Sequence, residues 1–114
     1  MSVRRVVPDI PWPAMDESRA FYGLLGFEEV MNHGWVVALA SPDNPTARIT
    51  FSTGGKTTPV VPDMSLEVDD VDAAYAAMTA HGAEIVHPLQ DEEWAVRRFV
   101  RDPNGRVVNI VGHR

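Results

Sequence analysis

At 114 residues with 45% hydrophobic content, the chain has the size and composition of one globular domain able to bury roughly 65% of its unfolded surface, which excludes a disordered or fibrous chain. It contains no Cys, which removes disulfides, thiolate zinc sites and a cysteine nucleophile. The formal charge of −6 argues against a nucleic-acid partner, which wants a basic face, and favours a neutral or cationic ligand.

Val3 to Ile10 reads as a strand, and Pro8, Pro11 and Pro13 delay the helix that follows. Arg4-Arg5 leads only to a short apolar run broken by Pro8, Asp9 and Pro11, unlike a signal peptide or a membrane span, so a soluble cytoplasmic protein without a membrane partner is expected. Asp16 is the expected N-cap of a helix whose stripe is Phe21, Leu24 and Leu25, ended by Gly26. Next come a strand from Phe27 to Met31, a turn at Asn32-His33-Gly34, and strands Trp35 to Ala40 and Arg48 to Ser52 around a Pro-Asp-Asn-Pro loop. Gly54 to Pro59 reads as a linker. Met64 to Val68 starts the pattern again. A helix capped by Asp69 or Asp70 carries Val71, Ala74, Tyr75 and Met78, and stops at Gly82. Ala83 to His87 is a strand, and Asp91-Glu92-Glu93 an acidic loop.

The chain closes on a hairpin, Val96 to Arg101 and Val107 to Val111, around Asp102-Pro103-Asn104-Gly105. If those four residues form the connection, Arg101 faces Arg106 and paired numbers sum to 207. Arg98 then opposes Asn109, and one face carries Trp94, Val96, Arg98, Val107, Asn109 and Val111. The other carries Arg97, Phe99, Val108 and Ile110.

Two constant offsets reveal an internal duplication. Gly26, Glu28 and Val30 recur 56 positions later as Gly82, Glu84 and Val86. Trp35, Val37, Asp43, Ile49 and Thr50 precede Trp94, Val96, Asp102, Val108 and Asn109 by 59, which places three extra residues between Val86 and Trp94. The expected fold class is α+β, with two βαβββ modules forming a cupped mixed sheet. Residues 1–114 form a single domain built of repeat 1–55 and repeat 60–114.

Phe21-Tyr22-Gly23-Leu24-Leu25-Gly26-Phe27 and Arg101-Asp102-Pro103-Asn104-Gly105, set in this duplicated pattern, resemble the vicinal oxygen chelate superfamily. That superfamily contains glyoxalases, extradiol dioxygenases, fosfomycin-inactivating transferases and bleomycin-resistance binding proteins. The resemblance covers essentially the whole chain. It implies four metal-ligand positions on the first and last strands of each half, which fall on Val7, Asp63, Thr50 and Asn109. One of these is apolar and two offer only weak neutral oxygens, so loss of the metal and of catalysis is expected, with no cofactor. Asp9 is the nearby donor in the first strand outside that set, while His33, His81, His87 and His113 form no short ligand pair. His81 precedes the helix-ending Gly82, where a cation suits the helix dipole. No phosphate loop, nucleophile elbow or HExxH motif is present.

What remains is a binding surface. The hairpin register, moved to the first half as a sum of 89, puts Trp35, Val37, Leu39, Arg48, Thr50 and Ser52 on the inner face. Alternation adds Asp63, Ser65 and Glu67 beside Arg98 and Asn109, with Glu67 and Arg98 as a possible structural pair. The expected ligand-binding set is Trp35, Arg48, Thr50, Asp63, Glu67, Trp94, Arg98 and Asn109, suited to an aromatic or cationic small molecule. The closing segment Arg98-Phe99-Val100-Arg101-Asp102-Pro103-Asn104-Gly105 is nearest the bleomycin-resistance branch. That likeness implies a homodimer sequestering a drug at its interface, hence antibiotic resistance. The alternatives are a metal-dependent glyoxalase- or dioxygenase-like enzyme using Asp63, and a regulatory or structural dimer with a vestigial cavity.

Overall fold

The computed structural model describes residues 1–53, 61–91 and 95–113, which form eight strands and two helices in a mixed α+β arrangement. They divide into two compact modules, an N-terminal one of residues 7–61 and a C-terminal one of residues 1–6 and 62–114. The linker from Gly54 to Pro59, the loop residues Glu92 and Glu93, and Trp94 lie outside the described residues. The boundary between residues 61 and 62 matches the duplication, but the first six residues go with the second copy rather than the first. No helix among the described residues is long and apolar enough to cross a membrane.

In the N-terminal module, α1 (Met15–Gly23) connects β1 (Val3–Pro11) to β2 (Glu28–Asn32), β3 (Val36–Ser41) and β4 (Asn44–Ser52). The strand order is β2-β3-β4-β1, with β1 and β4 parallel and the other pairs antiparallel. Ala14, not Asp16, caps α1, and it makes no side-chain cap bond. Pro13 has no N–H to enter a helical bond, and the first such bond is accepted by the Ala14 carbonyl from the Ser18 N–H at 2.9 Å. Asp16 therefore falls inside the first turn and meets Arg19 at 3.2 Å.

The apolar stripe of α1 also differs from its sequence pattern. Met15 and Tyr22 join the core of Val37, Leu39 and Phe51 together with Ile10, Phe27 and Ile49. Phe21, Leu24 and Leu25 remain 62%, 86% and 73% exposed. The helix stops at Gly23, so Leu24 and Leu25 sit in the turn leading to Gly26, whose φ of 89° needs glycine.

In the C-terminal module, β5 (Met64–Val68), α2 (Val71–His81), β6 (Glu84–Asp91), β7 (Ala95–Arg101) and β8 (Val107–His113) repeat the plan. Their order is β5-β8-β7-β6, with β5 and β8 parallel and the first residues of β1 beside β5. Asp70 caps α2 by accepting from the Ala73 N–H at 3.0 Å, and Gly82 ends it in the left-handed region. The core is Val68, Ala74, Val100, Val108 and Ile110.

The hairpin register differs by one residue from the sequence reading. Arg101 pairs with Val107 and Phe99 with Asn109, so paired numbers sum to 208. Asp102 and Arg106 are themselves bonded, with Asp102 N–H donating to the Arg106 carbonyl at 2.8 Å. The loop is therefore Pro103-Asn104-Gly105, a three-residue turn whose last position is Gly105 at φ 85°. The Asp102 carboxylate accepts from the Asn104 and Arg106 N–H groups at 2.8 and 2.9 Å. Those bonds, the Arg106 one foremost, hold its pKa below the usual 3.8.

The first half shifts likewise, because Ala38 pairs with Thr50 and Ala40 with Arg48, a sum of 88. The offset between β3 and β7 is consequently 61, since Ala38 and Phe99 oppose the residues Thr50 and Asn109 that lie 59 apart. Five extra residues thus lie between equivalent positions of β6 and β7, taken up by the longer strands of the second copy, and two fewer lie between equivalent positions of β7 and β8. Trp35 is not the counterpart of Trp94; at offset 61 its counterpart is Val96.

Candidate functional site

A one-residue slip in register turns every side chain of a strand to the other face. In the C-terminal module, Met64, Leu66, Val68, Val100, Val108 and Ile110 pack under α2. Ser65 and Glu67 of β5, Arg97 and Phe99 of β7, and Asn109 of β8 therefore point away from α2. Four of these five are buried, with Ser65 at 9%, Arg97 at 5%, Phe99 at 0% and Asn109 at 4% exposure.

Asn109 stands at the centre of this polar face, between Ser65 on one neighbouring strand and Phe99 on the other. Its Nδ2 donates to the Ser65 Oγ at 3.0 Å. Its Oδ1 is buried and accepts no hydrogen bond among the described residues. A buried acceptor left in that state costs about 1–3 kcal/mol, so a donor brought to it binds with a corresponding gain. Beside it, the Arg97 guanidinium carbon lies 4.9 Å from the centroid of the Phe99 ring. At the strand ends, Glu67 receives Arg5 on Oε2 and lies 3.4 Å from the His113 Nδ1 on Oε1.

Of the residues expected at the site, Asn109 and Glu67 are brought onto this face. Arg98 is not: it lies on the α2 side, 5.8 Å from the Tyr75 centroid, and donates to the Arg97 carbonyl at 2.9 Å. Its expected pairing with Glu67 is replaced by Arg5. Asp63 is spent on the start of β8, where Oδ2 accepts the Val107 N–H at 2.8 Å and Oδ1 lies 3.8 Å from Arg106.

In the N-terminal module, Arg48, Thr50 and Ser52 share a face with Ala38 and with Asp9, which stands beside Thr50. Val37 and Leu39 belong instead to the α1 core. Trp35 is half-buried just before β3, and its carbonyl accepts from the Thr53 N–H at 3.0 Å. Trp94 lies outside the described residues. Arg97 and Phe99 escaped the sequence reading, although an Asp-Pro-Asn-Gly turn with glycine in the left-handed position carries the signal for them.

The residues at the metal positions implied by the resemblance do not fit a divalent ion. Val7 is apolar and Thr50 a neutral hydroxyl in one module; in the other, Asp63 already serves a backbone N–H, and Asn109 is a neutral amide. Among the described residues no three His, Asp or Glu side chains gather into a metal-binding group.

A family model described as the Glyoxalase/Bleomycin resistance protein/Dioxygenase superfamily matches residues 5–110. No curated protein matches the sequence. Among solved structures, the chain is similar to one described as an NAD-dependent benzaldehyde dehydrogenase from Legionella pneumophila, at 15% identity and a TM-score of 0.73, covering 96% of this chain and 99% of that one. It is also similar to methylmalonyl-CoA epimerase from Mycobacterium tuberculosis, at 19% identity and a TM-score of 0.70, covering 96% and 88%. A superfamily member from Vibrio splendidus 12B01 aligns at 18% identity and a TM-score of 0.64, covering 97% and 99%. At these identities the likeness establishes the fold alone.

Proposed function

The chain belongs to the glyoxalase, bleomycin resistance protein and dioxygenase superfamily, and from that premise we propose that it binds a small molecule without altering it. The observation that carries this reading is the buried Asn109 Oδ1, which has no hydrogen-bond partner among the described residues and sits on a sheet face with Arg97 and Phe99. A planar aromatic amide or amidine supplies the N–H that this oxygen lacks. Such a ligand falls within the neutral or cationic classes that the acidic charge favours. The donor set described above, a serine hydroxyl bonded to a side-chain amide and a carboxylate engaged by Arg5, suits sequestration of the bleomycin-resistance kind. A homodimer is part of the proposal, supported by the exposed Phe21, Leu24 and Leu25 of the N-terminal module.

Titration of the protein with benzamide and benzamidine, followed by intrinsic Trp fluorescence, tests the reading. Saturable binding is expected, weakened roughly 5- to 100-fold in Asn109→Leu, the range of a lost buried hydrogen bond. Equal affinity in the variant, or no binding of either probe, removes Asn109 as the ligand-binding group.

A further inference from the structure

The two copies of the βαβ unit fill the space under their helices differently. In the N-terminal module, Tyr22 at the end of α1 packs its ring 5.9 Å from that of Phe27 and 5.7 Å from that of Phe51. Leu39, Ile49 and Ile10 complete that cluster. The position 56 residues after Tyr22 is Met78, and the one 56 after Phe27 is Ala83. Ile10 is matched by Leu66 at the same offset, Ile49 by Val108 at 59, and Leu39 by Val100 at 61. The aliphatic floor is thus kept in the second copy, while Phe27 becomes Ala83, Tyr22 becomes the flexible thioether chain of Met78, and Phe51, at offset 59, becomes Ile110.

The consequence is a pocket of about 770 Å³ between the C-terminal end of α2 and the sheet. Met64, Leu66, Met78, Ala83, Val100 and Val108 form its apolar wall. Met78 remains 37% exposed at its mouth. The rim carries His81, the Arg101 guanidinium, whose Nε donates to the Glu84 carboxylate at 3.0 Å, and the Asp102 carboxylate, which is held by the Asn104 and Arg106 N–H groups of its own turn. This pocket lies on the α2 side of the sheet, opposite the face that carries Asn109.

We propose that this pocket is a second binding site, for a neutral aromatic molecule of one or two fused rings, which takes the place that Tyr22 and Phe27 occupy in the other copy. The volume is within the range of small-molecule sites. An apolar wall offers a ring dispersion contacts and no hydrogen bonds to satisfy, and apolar cavities of this kind take up benzene-like guests. Both rim carboxylates are already engaged, Glu84 with Arg101 and Asp102 with the N–H groups of its own turn, so the apolar wall rather than the rim sets the class of guest. Methionine adds a polarisable sulfur that favours contact with an aromatic ring.

Indole is the probe, titrated into the full chain carrying ¹³C-methyl methionine. Saturable shifts are expected at the methyls of Met64 and Met78, with Met15 and Met31 of the N-terminal module unmoved. Ala83→Phe, which restores the ring found in the first copy, is expected to weaken indole binding at least ten-fold and to raise the melting midpoint rather than lower it. Unmoved Met64 and Met78 methyls, shifts of equal size at Met15 or Met31, or unchanged affinity in Ala83→Phe would each overturn the site. Should the variant not fold, the methyl map of the unaltered protein decides by itself.

Discussion

Phe51→Ala is expected to cost about 3–5 kcal/mol, the range for removing a fully buried ring, and to lower the melting midpoint by more than about 10 °C. Phe51 is 1% exposed and lies on β4 against both β3 and β1, paired with Val37 and Ile10. Its ring touches Tyr22, the one aromatic of α1 that reaches the core. Removing it therefore loosens the packing of the helix on the sheet as well as opening a cavity. A domain of this size has about 5–15 kcal/mol in total, so the variant should be largely unfolded at 37 °C if the wild type lies near the lower limit. Chemical denaturation followed by circular dichroism measures the loss. A cost under about 1 kcal/mol would mean that α1 is not anchored through this ring.

The second large effect is expected at Glu67. Its carboxylate is only 15% exposed, it holds Arg5 at 18% exposure, and it has His113 on its other oxygen. Glu67→Ala leaves the Arg5 cation partly buried without its partner. The expected cost is about 2–4 kcal/mol, discounted from the fully buried case because both groups retain some solvent. The paired replacement Arg5→Met with Glu67→Leu should recover most of that loss, since the penalty comes from the stranded charge rather than from the lost attraction. If the double variant is as unstable as Glu67→Ala alone, packing by the Glu67 stem, and not the charge, is what matters there.

Much of this architecture was legible in the residues. The offsets of 56 and 59 were visible, and so were a cap at Asp69 or Asp70, the Gly82 stop and the βαβββ order, because caps, glycines and apolar spacing are local signals. The faces were less accessible. They depend on whether the four-residue motif contributes all four residues or only three to the loop, and the bond between Asp102 and Arg106 decides that. A single step there moved Arg98 under α2 and brought Arg97 and Phe99 beside Asn109. Trp35 and Trp94 lie 59 apart, the offset that holds for β4 and β8, whereas β3 and β7 are related by 61, so their match in sequence was a coincidence of spacing. Side-chain bonds between distant strands, such as Arg5 with Glu67, leave no periodic trace in the chain at all.

The most direct test of the central claim, that the chain binds its ligand through side chains and not through a metal ion, is calorimetric titration of tag-free protein with nickel, cobalt, zinc and manganese. With Val7, Thr50 and Asn109 at the positions where the superfamily's enzymes place metal ligands, the account predicts no saturable binding of any of the four. One tightly bound ion per chain would contradict it and make metal-dependent catalysis the leading reading.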